Sequence, residues 1–404
     1  MKQHSVLPER LSWAGLPAAL VENGVATGAA VGLEIDERRV GAEVDDGAEA
    51  LTLEVEAVPA DPTAKATPRF FDLASLTKPF VATLALVLDE SGELPLVTPV
   101  GSLWPHAHRQ LRKRPLESLL RHSSGLKAWA PLYAPHFLLA EADDEGLGLT
   151  ADRIAGFLGD RRQWGAEVGT YSDLGYLLYG LACRRVLGAD LDLVLTTRVL
   201  EPLLAAHGAE GEVRAHPEPS EIVPTTLDTT REVQLAQDLG LEIEALGAPK
   251  AGQRQDGNAR FLRPALGAVA GHAGLFGSVA GVLALGREWR SPGALLSPAA
   301  VSRALDGEHR LGWFRPRAGN SGGPDLPAQA FGHTGFTGGS LWVVPDGGPA
   351  EEPSGESGAK QKWRAGGAAV LLAHRTTPEQ NLHPYRHQLH RQLLEQLAAR
   401  GGER

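Results

Sequence analysis

Strand-like segments stand near the two ends of this chain and helical ones between them, and that order constrains the fold more than any other feature. Residues Ala29 to Ile35 read as a strand, with Gly41 to Val44 as a hairpin partner across the polar turn Asp36-Glu37-Arg38. A further strand is expected over Ala50 to Val55, followed by a Pro/Ala/Thr loop from Val58 to Pro68. From about residue 92 to 310 helical spacing dominates, broken by Gly/Pro loops. Strand signals return at Leu311 to Phe314, Gly339 to Val344 and Ala368 to Ala373. An amphipathic helix of roughly Pro384 to Ala399 closes the chain, its proline in the first turn. Such a chain builds one sheet from both its ends, an α/β arrangement of the α+β type with an antiparallel sheet flanked by helices. Residues 1–92 and 311–404 then form an α/β domain, residues 93–310 a mainly helical one, and the two a single catalytic unit. Gly347 to Lys362, rich in Gly, Pro, Glu and Ser, reads as a mobile surface loop.

Within that order, one stretch fixes a helix start. Phe70-Phe71-Asp72-Leu73-Ala74 is a short apolar entry, and Leu76 to Leu88 has helical apolar spacing. Pro79 falls inside it, and proline is tolerated only in a helix's first turn. The helix therefore begins near Ser75. Residues i and i+3 share a helix face, so Lys78 comes beside the Ser75 hydroxyl. A serine hydroxyl is a weak nucleophile without an adjacent base, and a crowded lysine can lose its proton to become one. The free N–H groups of the helix start also suit a developing oxyanion. Taken by itself, Ser75 reads equally as a helix-capping serine. The same spacing recurs at Ser124/Lys127 and Ser357/Lys360, with glycine between the partners and no apolar helix after either.

Two further elements carry chemistry. Tyr171-Ser172-Asp173 precedes a helical run. A tyrosine beside a lysine can shuttle a proton, while Ser172 or Asp173 can simply cap the helix. His333-Thr334-Gly335 precedes the Gly339 to Val344 strand, where the N–H of Phe336 can join that of Ser75 in an oxyanion hole; the plain alternative is a glycine-rich lead into a hairpin.

These elements in this order resemble the class C β-lactamase-like serine hydrolases, which include class C β-lactamases, D-alanyl-D-alanine carboxypeptidases, D-aminopeptidases and family VIII esterases. The likeness runs over about residues 15 to 400. It is carried by Phe71 to Phe80, Leu120-Arg-His-Ser-Ser-Gly-Leu126, Tyr171 to Gly175, Gly271-His-Ala-Gly-Leu-Phe276 and Gly332-His-Thr-Gly-Phe-Thr-Gly338. It implies a penicillin-binding-protein-like fold and acyl transfer. Ser75 would be the nucleophile, Lys78 and Tyr171 the proton relay, and the N–H groups of Ser75 and Phe336 the oxyanion hole. Asp173, His333, Thr334, Gly335 and Trp129 would contact substrate. Two positions depart from the family's pattern: Asp173 stands where an asparagine is usual, and His333 where a lysine is usual. A carboxylate replaces an amide, and a largely neutral ring replaces a fixed cation. Both changes weaken recognition of an anionic β-lactam and favour an esterase-like substrate. A D-amino-acid peptidase or weak β-lactamase is the runner-up. A non-catalytic ligand-binding or assembly relative is the alternative of another class.

Composition narrows the rest. A net charge of −10 argues against a nucleic-acid partner. The single cysteine, Cys183, excludes an internal disulfide and reads as a small core residue. No stretch of about 18 apolar residues suggests a membrane span, and Met1 to Pro8 lacks an apolar run, so a cytoplasmic protein acting on a small ester or amide is expected. Nothing calls for a cofactor, the fourteen histidines show no zinc-ligand spacing, and no oligomeric state can be read. Gly319-Asn-Ser-Gly-Gly323 matches a nucleophile-elbow pattern but lacks the following helix that an elbow needs. His122 and His272 read as structural hydrogen-bonding residues. Trp129 and Tyr133 read as pocket lining or core.

Overall fold

A computed structural model describes residues 12–35, 51–57, 68–134, 151–160, 163–250, 252–346 and 366–401. The two chain ends do build one sheet. Its strands are β1 (Ala26–Ile35), β2 (Leu51–Ala57), β6 (Phe331–Thr334), β7 (Ser340–Val344) and β8 (Gly367–Arg375), in the order β2-β1-β8-β7-β6, every pair antiparallel. A second small sheet joins β3 (Phe71–Asp72), β5 (Phe276–Gly277) and β4 (Val213–Arg214), in that order.

Both faces of the main sheet are covered, so β8 reads as a continuous apolar run rather than an alternating one. Successive side chains still point to opposite faces. Val370 and Leu372 join the larger core with helix α4 (Val279–Arg290), while Ala369, Leu371 and Ala373 join a second core with α1 (Leu16–Glu22) and α5 (His383–Gly401). Each buried leucine or valine contributes roughly 1.5–3 kcal/mol, so the five-strand layer holds the fold from both sides. Helix α2 (Thr77–Glu90) is buried along nearly its whole length and lies in the larger core beside α3 (Asp173–Leu187). Although α4 falls in the 93–310 stretch, it packs directly on β7, β8 and β1. A buried ion pair ties it there: Arg287 and Arg290 both reach Glu34 of β1, which has no exposed surface.

Two strand expectations need correction. Leu311 to Phe314 is not a strand; Phe314 alone bridges to Gly332. The strand at this edge is instead Phe331–Thr334, paired with β7 so that Gly332 lies opposite Trp342. A Cβ on Gly332 would come 2.2 Å from the Trp342 ring, so the indole occupies the space of a side chain. The expected Gly41 to Val44 hairpin partner and the 347–362 loop lie outside the described residues. Within them, β1 takes β2 as its neighbour, with Ile35 opposite Leu51. No described helix is long and apolar enough to cross a membrane.

Candidate active site

The site forms where the start of α2, the start of α3 and the turn after β6 converge. Ser75 sits in a single turn of 3-10 helix, Ala74–Leu76, that runs straight into α2. Ala74, immediately before it, holds φ +44°, a left-handed conformation that costs a non-glycine residue about 1 kcal/mol or more. Several contacts hold it there: the Ala74 N–H donates to Asp72 Oδ1 at 2.9 Å, and the other Asp72 oxygen accepts from the Gln255 N–H at 2.8 Å. Pro79 lies in the first turn of α2, as the sequence requires.

Lys78 is fully buried, and its Nζ donates to Ser75 Oγ at 2.8 Å. It also meets Asp173 Oδ1 at 2.7 Å and the His272 carbonyl at 3.1 Å, and stands 4.8 Å from the centre of the Tyr171 ring. Burial disfavours the charge on Lys78, but the Asp173 carboxylate and then Tyr171 outweigh it, so the ammonium is held above the ordinary lysine range. Burial drives the Tyr171 phenol upward, and the nearby Lys78 charge and hydrogen bonding to Lys78 and Ser75 reverse only part of this. At neutral pH Lys78 is therefore an ammonium and Tyr171 a neutral phenol.

The start of α3 explains how Asp173 comes to face Lys78. Ser172 is the N-cap: its Oγ accepts from the Gly175 N–H at 3.1 Å and donates to the Lys127 carbonyl at 2.7 Å. Asp173, relieved of capping, turns to the lysine. Its position in the first helical turn suits a negative charge. The Ser172 N–H donates to His122 Nδ1 at 3.0 Å, and the His122 ring lies 4.5 Å from that of Tyr171. Burial, then the Lys78 charge, pushes His122 down to about 3, so it is a neutral ring that positions the tyrosine loop. His122 is itself left-handed, at φ +54°.

The turn after β6 is stapled to the segment before Ser75. Thr337 Oγ1 donates to the Asp72 carbonyl at 2.7 Å, and a Cβ on Gly335 would come 2.4 Å from the Leu73 carbonyl. Gly335 is thus a close-approach glycine, and it sets the turn after β6 against the Leu73–Ala74 segment before Ser75. His333 and Trp129 are buried, whereas Thr334 and Phe336 are partly exposed. Phe314 stacks on His333 with ring centres 4.4 Å apart. Burial, then the Lys78 charge, holds His333 well below the ordinary histidine range, so it carries no positive charge.

No sequence pattern shows that the Gly271-His-Ala-Gly274 segment supplies a carbonyl to Lys78. His272 anchors that segment: its Nε2 bonds Asp256 Oδ1 at 2.9 Å and its Nδ1 lies 3.3 Å from the Ala270 carbonyl. Burial opposes a charge on His272, but Asp256 overrides it and the ring is held above its usual range. Of the other serine–lysine spacings, Ser124/Lys127 forms no such site: Ser124 is buried and accepts from the Leu126 N–H. Ser357 and Lys360 lie outside the described residues. Ser321, in the Gly319 to Gly323 pattern, is buried in a turn with no helix after it.

A family model described as Beta-lactamase matches residues 18–392. The chain belongs to the Beta-lactamase family. Among curated relatives, this family member is 25% identical over 302 residues to an N-acetylmuramyl-L-alanine amidase of Bacillus subtilis (strain 168). The match covers 69% of this chain and spans 65% of the amidase. Among solved structures, a class C β-lactamase from Rhodobacter sphaeroides superposes with a TM-score of 0.60 at 17% identity, covering 95% of this chain and 99% of that one. EstCE1, a hydrolase with promiscuous acyltransferase activity, also gives 0.60, at 19% identity, covering 93% and 96%. At such identities the superpositions speak to fold: the β-lactamase fold expected from the sequence is the fold observed.

Proposed function

We propose that this chain hydrolyses a small ester or amide through an acyl-enzyme on Ser75. The observation that carries this reading is the 2.8 Å contact between Lys78 Nζ and Ser75 Oγ at the start of a buried helix. In the proposed reaction Ser75 Oγ attacks the substrate carbonyl carbon, and its proton passes into the Lys78–Tyr171 pocket. The N–H groups of Ser75 and Phe336 hold the oxyanion, the stapled turn fixing one against the other. Collapse expels the alcohol or amine, which takes a proton from Tyr171, and the Lys78 ammonium restores the phenol. Water then attacks the acyl carbon as Lys78 takes its proton; the bond from that carbon to Ser75 Oγ breaks, Oγ takes a proton back through Lys78 and Tyr171, and the carboxylic acid leaves.

His333, neutral and stacked under Phe314, offers no fixed cation to a substrate carboxylate. The reading therefore favours neutral esters and amides over β-lactams. Turnover of p-nitrophenyl acetate and of a chromogenic cephalosporin by the purified chain tests this. Ester hydrolysis at least about tenfold above the cephalosporin rate in kcat/KM, lost in Ser75→Ala, is expected. Preferential turnover of the cephalosporin overturns the substrate preference, and hydrolysis that survives Ser75→Ala overturns the mechanism.

A further inference from the structure

We infer that Asp173 is the terminal acceptor of the Ser75 proton, reached through Lys78 and discharged from there to solvent. The inference rests on the reading of Ser75 as nucleophile and adds to it the place where the proton goes.

The argument begins with valence. An ammonium has three N–H bonds and no lone pair. Lys78 Nζ donates to Ser75 Oγ at 2.8 Å and to the His272 carbonyl at 3.1 Å, forms an ion pair with Asp173 Oδ1 at 2.7 Å, and is hydrogen-bonded with Tyr171 as well. As an ammonium it has no lone pair for the serine proton. One of its own must leave first. Of these neighbours, a carbonyl, a serine hydroxyl and a neutral phenol are poor proton acceptors, and the carboxylate is the strongest base. The other titratable groups facing this cation do not serve. His122, from the loop before α3, and His333, from β6, are neutral rings that do not bond Nζ. Tyr171 is a neutral phenol, and the Asp256 carboxylate is bonded to His272.

The step balances without any outside reagent. An Nζ–H bond breaks and an O–H bond forms on Asp173, leaving a neutral amine beside a carboxylic acid. The amine turns about its Cε–Nζ bond so that its lone pair faces Ser75 Oγ and its two N–H groups face the His272 carbonyl and an Asp173 oxygen. As Oγ attacks the substrate carbonyl carbon, its O–H bond breaks and a new Nζ–H bond forms. The pocket then holds an ammonium and a carboxylic acid. Burial separates the two partners further. The Lys78 side chain has no exposed surface, whereas that of Asp173 is 20% exposed, so Asp173 is the member of the pair that can trade its proton with water. An asparagine at this position could hydrogen-bond the lysine but could take no proton from it.

The test is the pH dependence of p-nitrophenyl acetate hydrolysis by the full chain, comparing wild type, Asp173→Asn, Asp173→Glu and Ser75→Ala. For Asp173→Asn the expected result at pH 7 is a fall in kcat of about 100-fold with KM changed less than about twofold. Its rate should then climb as pH is raised from 7 to 10, because Lys78 without its anionic partner gives its proton to solvent. Asp173→Glu should recover part of the loss. An Asp173→Asn enzyme with wild-type kcat and pH profile overturns the proposal. So does one whose loss lies only in KM, which would make Asp173 a substrate contact, and so does one faster than wild type at pH 7. Cooperative melting at the wild-type temperature verifies folding, and Asp173→Ser carries the same test if the amide disturbs the start of α3. Ser75→Ala separates the two ideas: activity retained there removes the nucleophile reading, whereas activity lost there with Asp173→Asn unaffected removes this proposal alone.

Discussion

Two buried ion pairs in this molecule look alike and do different work. Glu34 on β1 meets Arg287 and Arg290 of α4, and both Glu34 and Arg290 have no exposed surface. Lys78 meets Asp173 at 2.7 Å, and there only the lysine is fully enclosed. In each pair an anion and a cation offset one another's desolvation. The difference lies in the cation. Arginine does not lose its proton in proteins, so the Glu34 cluster can only hold α4 against the sheet. Lysine can lose its proton, and here its other neighbour is a serine hydroxyl. A buried pair built on arginine is a clamp, and one built on lysine beside a nucleophile is a proton store.

Removing each pair in turn would break or sharpen that contrast. The largest effect is expected from Lys78→Ala, which should lower kcat/KM by about 10³-fold and cost less stability than the loss of Glu34, since the Asp173 side chain is 20% exposed whereas that of Glu34 is wholly buried. Glu34→Gln should do the reverse. It removes the carboxylate that Arg287 and Arg290 share and should cost about 3 kcal/mol of stability in urea unfolding, with kcat of the folded enzyme intact. The contrast fails if Lys78→Ala unfolds the protein as readily as Glu34→Gln does, or if Glu34→Gln slows the folded enzyme.

A smaller effect concerns two neutral histidines, His122 beside Tyr171 and His374, whose Nε2 accepts from the Asp72 N–H ahead of Ser75. Burial holds His122, at the site, down to about 3 and His374, on β8, down to about 4, against 6.5 for a free ring. The folded state thus binds fewer protons than the unfolded chain below pH 6.5. Each ring contributes stability that is complete above pH 6.5 and is lost as pH falls towards 4 and then 3. Their ring-proton NMR signals should stay at the neutral position down to pH 5, and a midpoint near 6.5 for either would mean that the ring is not sealed. The smallest effect is expected at the exposed pair Arg185–Asp152, 3.2 Å apart. There Asp152→Asn should change stability by less than about 0.5 kcal/mol, and by less still in high salt.

Much of this was legible in the sequence, for reasons that are local. Pro79 and the apolar spacing after it locate the start of α2, and i,i+3 geometry then places Lys78 beside Ser75 without reference to the rest of the chain. Capping chemistry likewise places the start of α3 at Ser172 or Asp173. The inner strands β1, β8 and β7 were visible because each is a dense apolar run. What was missed depends on distant contacts. Phe331–Thr334 is a weak strand on paper, since Gly332 is there to admit the Trp342 indole from the neighbouring strand, while the more aromatic Leu311 to Phe314 makes a single bridge. Asp173 read as a substrate contact because no pattern in sequence shows that the start of α3 faces Lys78. Nor does any pattern show that the His272 carbonyl takes a lysine N–H, or that Glu34 meets α4.

The most direct test of the account is the intact mass of the protein after incubation with a fluorophosphonate probe, for wild type and Ser75→Ala. A single adduct on wild type that is absent from the variant is the predicted result. No adduct on wild type, or one that survives the substitution, would contradict Ser75 as the nucleophile and with it the role given to the Lys78–Asp173 pair.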